Sequence, residues 1–306
     1  MKQLKQLCSI HAPTGEEYYM RDFLIEYINN NKSQWKSQPQ LFYGKDFKDS
    51  LILVFGKPRT AIFAHMDSVG FNIRYNNELI PIGSPRIING TPLLGKDSKG
   101  EIQCELKVID SEEETKIFTN FSREIERGTS LTFKSNFIES ENHIESCYLD
   151  NRLGIKNALE IANSISDGII AFTCGEEAGG GTVELIAKFI YENYKVSQAL
   201  ISDITWVTEG VKLGDGCVIS LRDKMIPSRK FVNKIIKIAK EQNIKFQIEV
   251  EDSGSSDGGY LHKTPYPIDW CFIGVACENI HSPSEKVHKE DILNMTNFYK
   301  KLIELL

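Results

Sequence analysis

Residues 61–71, AIFAHMDSVGF, set both the fold and the place to look for chemistry. The apolar run that begins at Thr60 ends at His65, and turn residues follow; a run so short and unalternating predicts a strand buried on both faces. Just upstream, SLILVFG at residues 50–56 has the same texture. Two strands without a solvent face need helices on both sides, which points to an α/β architecture. His65 and Asp67 then stand at the carboxyl end of a strand, where open α/β sheets gather their functional groups.

Working outward, MKQLKQLCSI at the amino terminus predicts a short amphipathic helix and lacks the apolar core of a secretory signal. A second helix is expected over about residues 15–30, entered through Thr14 with Glu17 in capping-box spacing. From residue 72 to 143 the texture changes to short alternating segments punctuated by Asn-Gly, Ser-Pro and Lys-Gly turns, with FSREIER as the one helical interruption. This stretch is read as a small β-rich domain, residues 72–143, inserted into a larger one made of residues 1–71 and 144–306. After residue 150 helix and strand alternate. GIKNALEIANSI, GTVELIAKFIYENY, SRKFVNKIIKIAKEQN and KEDILNMTNFYKKLIELL read as helices; GIIAFTC, SQALISD, KFQIEV and WCFIGVA read as strands. The expected fold class is α/β, a mixed and mostly parallel sheet between helices.

A chain of 306 residues with 41% hydrophobic and 25% charged residues can bury a sizeable core, and no apolar stretch is long enough to cross a bilayer, so no membrane is expected as a partner. Lys plus Arg number 36 against 42 Asp plus Glu, and no long basic run tracks phosphates, so nucleic acid is not an expected partner. The seven cysteines form no CxxC pair and read as reduced, buried thiols of a cytoplasmic protein.

Other apolar runs also close on polar residues: Glu176 and Glu177 after IIAFTCG, Asp203 after ALIS, and His281 in the loop after CFIGVAC. Asp150 stands just before a helix in YLDNRLG. Two imidazoles and several carboxylates suit zinc, or cobalt or manganese. Two ions sharing a bridging carboxylate can clamp a water and polarise a carbonyl. Adjacent side chains at a strand end point opposite ways, so one of Glu176 and Glu177 can hold a metal while its neighbour acts as general base. Asp67, two residues past His65, is placed to fix the orientation of that ring. Each element alone has a plainer reading: GEE as acids at a helix start, LDNRLG as a helix cap. Their joint order, HxD, DNR, EE, D and H, is what argues for a metal centre.

In that order the chain resembles the glutamyl aminopeptidase and cellulase-M-like family of dinuclear metallo-aminopeptidases, which includes the tetrahedral aminopeptidases. The resemblance runs nearly end to end, through APTGEE, AHMDSVGF, IERGTSLTF, LDNRLG, GEEAGGGT, SDITWVTEG, LGDGCVISLRD, SGSSDGG and HSPSE. It implies a zinc-aminopeptidase-like, phosphorylase/hydrolase-like fold, with the inserted domain a β-barrel-like dimerisation unit. It further implies two divalent ions per subunit, zinc first, with His65 and Asp203 on one, Glu177 and His281 on the other, and Asp150 bridging. Glu176 would be the general base, Asp67 the partner of His65, Asp257 a contact for the substrate's amine, and the Asp150–Asn151 peptide cis. Peptides are the implied substrates and a homo-oligomer, a dimer or a dodecamer built from dimers, the implied assembly. The chain departs from the family at Ser68, where HMDE is usual, and at GSSDGG, where Asp257 is kept.

The same ligands would serve an N-acyl amino-acid deacylase or a carboxypeptidase, and a non-catalytic assembly protein could keep the fold. A glycosidase would leave the histidines without a role. His11, His143, His262 and His288 close no strand-like run and read as surface or core residues, with His288 and Glu285 close enough to His281 to support it. Arg222 and Lys224 read as favouring an acidic substrate side chain.

Overall fold

The computed structural model describes residues 1–110 and 114–306; residues 111–113, inside the inserted stretch, lie outside the description. The larger of two sheets runs, edge to edge, through Gln40–Phe42, Leu51–Phe55, Gly168–Thr173, Ala61–His65, Gln198–Trp206, Asp269–Glu278, Glu285–His288, His143–Ser146 and Ile138–Glu139. Cys217–Arg222 branches from Asp269–Glu278 and carries Phe246–Val250 on its other side. Its centre is parallel: Ala61–His65 pairs with Gly168–Thr173 and Gln198–Trp206, which in turn pairs with Asp269–Glu278. The flanks are antiparallel. Ala61–His65 and Gly168–Thr173 end at one edge and bring His65 and the Gly175–Glu177 turn together. Asp203, expected to close its strand, instead lies inside one that runs on to Trp206, two residues past the Ile201–Phe63 pair.

Alternation along each strand splits the core in two. Leu51, Leu53, Phe55, Ile62 and Ala64 face the helices Tyr18–Asn31, Leu149–Ala162 and Lys289–Leu305. Ile52, Val54, Ala61 and Phe63 face the helix Val183–Tyr194. Both faces being covered accounts for the unbroken apolar runs. Gly154 lets the helix Leu149–Ala162 approach the sheet: a Cβ there would lie 2.1 Å from the Ser202 carbonyl oxygen and 2.2 Å from Asn151 Oδ1.

The second sheet is antiparallel, in the order Leu79–Ile82, Gly70–Ile73, Ser130–Phe133, Pro92–Asp97, Gly100–Asp110 and Thr115–Thr119. A bridge between Glu78 and Phe118 nearly closes it into a barrel. Ile102, Cys104 and Leu106 alternate inward along its longest strand to meet Phe71, Leu93 and Phe133.

Two local expectations fail. The second helix begins at Tyr18, with Glu17 as its N-cap and no side-chain cap; Thr14 gives its hydroxyl to Asp67 instead, and the Glu17 carboxylate accepts from the Gly15 amide. FSREIER forms no helix, because Ile125 plugs the barrel core and Arg123 is drawn out to Asp97. All seven cysteines are unpaired and buried. No described helix is long and apolar enough to cross a membrane.

Candidate metal centre and active site

Two groups of side chains meet at the carboxyl edge of the parallel strands. In one, His65, Asp150 and Asp203 bring a potential ligand atom each within 4.8 Å of the others; in the second, Asp150, Glu177 and His281 do the same. Asp150 belongs to both. Its Oδ1 lies 3.0 Å from His65 Nε2 and its Oδ2 lies 3.3 Å from His281 Nε2, so one carboxylate faces two imidazoles with separate oxygens. Asp203 Oδ2 is 3.6 Å from His65 Nε2, and Glu177 Oε2 is 3.2 Å from His281 Nε2. Glu177 Oε1 is buried without a hydrogen-bond partner. A buried orphan oxygen in a set of three acids and two imidazoles fits divalent cations, which such donors bind and which supply the missing partner.

Charge in this cluster is badly balanced by protein alone. Burial opposes charge on His281, but Asp150 and Glu177 outweigh it and hold its pKa up at about 11. His65 is likewise raised, burial being overcome by Asp203, Asp150 and Asp67. Burial pushes Glu176 and Asp203 well up, and neighbouring carboxylates add to it against the opposing pull of His65. Divalent ions bound here would neutralise the carboxylates, and their binding would displace any protons the imidazoles carry.

Backbone ties keep the groups in place. Asp67 is fully buried, and its carboxylate does more than hold a ring: Oδ1 accepts from the Glu176 amide (3.1 Å) and Oδ2 from the Glu177 amide (3.0 Å) and the Thr14 hydroxyl (2.7 Å). His65 Nδ1 lies 3.2 Å from the Asp67 carbonyl oxygen and 3.5 Å from its carboxylate. Arg152, of the DNR motif, is fully buried and donates Nη1 to the carbonyls of Met66 and Asp67. Asn151 bridges the Ser202 carbonyl and the Gly154 amide, and the Asp150–Asn151 peptide is cis. Glu285 accepts from the amides of Asp150 (3.0 Å) and His281 (2.8 Å), a clamp on two residues of the cluster. His281 itself sits at φ 62°, a left-handed conformation held by that bond and by the Arg86 amide on its carbonyl.

One contribution had no signal in the sequence. The loop after Leu79–Ile82, from the small sheet, reaches over the cluster. Ser84 Oγ lies 2.9 Å from His281 Nδ1, and Gly83, at φ +68°, passes so close that a Cβ would lie 3.0 Å from the Glu177 carbonyl oxygen.

Other expected residues fall elsewhere. Asp257 is buried outside the cavity wall, with Oδ2 accepting from Thr173 (2.6 Å) and Oδ1 unpartnered; burial first, eased by His65, raises its pKa to about 6. Ser68 is buried against residues 12–14 and turns no charge toward the cluster. His288 packs its ring on His143 and caps the last helix. Arg222 and Lys224 do not line the cavity.

Residues 95–298 match the family described as M42 glutamyl aminopeptidase. Across 99% of its length the chain is 23% identical to the glutamyl aminopeptidase of Lactococcus lactis subsp. cremoris (strain MG1363), covering 96% of that protein. Among solved structures, the aminopeptidase APDkam598 of Desulfurococcus kamchatkensis superposes with a TM-score of 0.86 at 22% identity, over 100% of this chain and 94% of that one. The TET1 peptidase of Pyrococcus horikoshii, whose subunits can assemble into a tetrahedron or a large octahedral shell, gives 0.82 at 21% identity, over 99% and 98%.

Proposed function

We propose that this chain, which belongs to the M42 glutamyl aminopeptidase family, removes the amino-terminal residue of peptides using two divalent ions and Glu176 as general base. The observation that carries the reading is the division of Asp150 between two imidazoles, one oxygen to each, with a further carboxylate beside each. His65 and Asp203 would hold one ion, Glu177 and His281 the other, and Asp150 both, with zinc favoured by the nitrogen and carboxylate donors and cobalt or manganese as alternatives. Such ions, when bound, acidify an attacking water and polarise the scissile carbonyl.

Glu176 lines the same cavity without belonging to either ligand group. It is therefore free to take the proton from the attacking water and deliver it to the departing amine. Asp67 sets its position by holding the Glu176 and Glu177 amides with one rigid carboxylate. Burial and the neighbouring acids keep the Glu176 carboxyl receptive to a proton.

The nearly closed sheet is proposed as the dimerisation unit of a homo-oligomer. Tyr75, Ile80, Ile87, Ile88 and Ile109 are exposed on or beside it, an apolar surface of the kind that partners cover.

The test is mass-spectrometric product analysis of peptides with free and with acetylated amino termini, using metal-reconstituted protein and a chelated control. Stepwise loss of single residues from free termini only, abolished by chelation, is expected. Release of acetyl groups would replace this reading with a deacylase, and inertness with metal bound would end it.

A further inference from the structure

The cavity that opens on the metal centre, about 520 Å³, has a wall that metal binding does not use. Asp223, Glu249 and Glu251 line it, and none of the three belongs to either ligand group. Glu249 is 4% exposed and Asp223 9%. Glu249 is the only buried side chain of the strand Phe246–Val250, the position where an apolar residue would ordinarily point into the protein. The Thr205 hydroxyl donates to its Oε1, and the Ser220 hydroxyl also acts on the carboxylate. Asp223 Oδ1 accepts from the Met225 amide, and the residue's own amide also acts on the carboxylate. None of the three acids forms an ion pair with a described residue. Arg222 and His262 act on Asp223 only at a distance, and Arg222 turns its Nε to the Asp223 carbonyl instead (3.3 Å).

Buried carboxylates without a counter-charge are costly, and each additional one raises that cost. Burial holds Glu249 above the ordinary range, and Asp223 and Glu251 push it further. The same cavity offers apolar surface from Ile204, Trp206 and Phe272. An aliphatic stem with a charged tip uses both kinds of surface at once.

We infer that the amino-terminal residue this enzyme removes is lysine or arginine, its stem lying along the apolar wall and its cationic tip meeting Asp223, Glu249 and Glu251. This rests on the aminopeptidase reading. It reverses the preference for acidic side chains expected from Arg222 and Lys224, neither of which lines the cavity.

The experiment compares kcat/KM of the metal-reconstituted full chain on tripeptides beginning with lysine, arginine, norleucine or glutamate. Norleucine keeps the stem and the α-amine and removes only the terminal charge. Lysyl and arginyl peptides are expected to exceed norleucyl at least 10-fold, with glutamyl slowest. Glu249→Gln combined with Asp223→Asn should lower the lysyl rate at least 10-fold more than the norleucyl rate. Calorimetric binding of free L-lysine and L-norleucine to the metal-loaded protein reads the wall without turnover, and lysine should bind at least 10-fold tighter. If no peptide is cleaved, the aminopeptidase reading falls while the binding ratio still decides the wall. Norleucine binding as tightly as lysine, glutamyl peptides cleaved fastest, or a double variant with an unchanged lysyl-to-norleucyl ratio would overturn the inference.

Discussion

Replacing Asp67 by Asn removes one oxygen and changes nothing else in size. The native carboxylate accepts from the Glu176 amide on Oδ1, and from the Glu177 amide and the Thr14 hydroxyl on Oδ2. An asparagine amide keeps at best the Oδ2 pair and then points its NH₂ at the Glu176 N–H, donor against donor. The loss is one charge-assisted hydrogen bond and one buried unsatisfied donor, each about 1–3 kcal/mol. Together they should destabilise the metal-free protein by roughly 2–6 kcal/mol. The freed Glu176 backbone should also let the base drift, and a displacement of about 1 Å costs on the order of 100-fold in rate. Urea unfolding of chelated protein gives the first number, and kcat after metal reconstitution the second. Thr14→Val, which removes only the hydroxyl donor, should cost about 1 kcal/mol and serves as the scale. An Asp67→Asn protein within about 0.5 kcal/mol of wild type and with unchanged kcat would refute the clamp, since that is the range of an indifferent substitution.

Ser84→Ala removes one of the two Ser84 oxygens beside His281 Nδ1, the hydroxyl at 2.9 Å, and leaves the carbonyl at 3.2 Å. Metal binding should therefore weaken by less than about 10-fold, while Ser84→Thr should keep it; competitive chelator titration measures both. Glu17 is buried beside Asp67, and burial raises its carboxyl to about 7. An acid raised on folding costs stability once it ionises, so between its ordinary range and about 7 stability falls as pH rises; Glu17→Gln should remove that slope and gain roughly 1–3 kcal/mol at pH 8 relative to pH 4, read by urea unfolding at both pH values. Gly154→Ala should push the Leu149–Ala162 helix off the Ser202 carbonyl, costing at least about 3 kcal/mol and most of the soluble yield; a stable, active protein would show that the close approach is dispensable.

Most of the metal centre was legible because its residues close apolar runs, and a run's end can be read locally. His65, Glu176 and Glu177 lie at or just past strand ends, as expected; Asp203 lies inside a longer strand, and the parallel register brings all four together. What could not be read depends on distant pairings. Thr14 and Glu17 have the spacing of a capping box, yet the Thr14 hydroxyl is claimed by a carboxylate 53 residues on. Asp67 does stand beside its neighbour's ring, as expected, but its bonds to two amides 109 and 110 residues away had no local signal. Ser84 reaches His281 across 197 residues, from a loop with only turn signals. The cavity wall depends on pairing too: in SLRDKM the basic residues catch the eye, while Asp223 and the distant Glu249 are the ones that line the cavity.

Glu176→Gln tests the catalytic assignment most directly, with metal content and kcat measured on the same preparation. Glu176 lies outside both ligand groups, so the variant should keep its full metal complement while kcat falls about 10²–10⁴-fold, the usual contribution of a general base. Near-normal turnover, or loss of metal in step with activity, would contradict that role for Glu176.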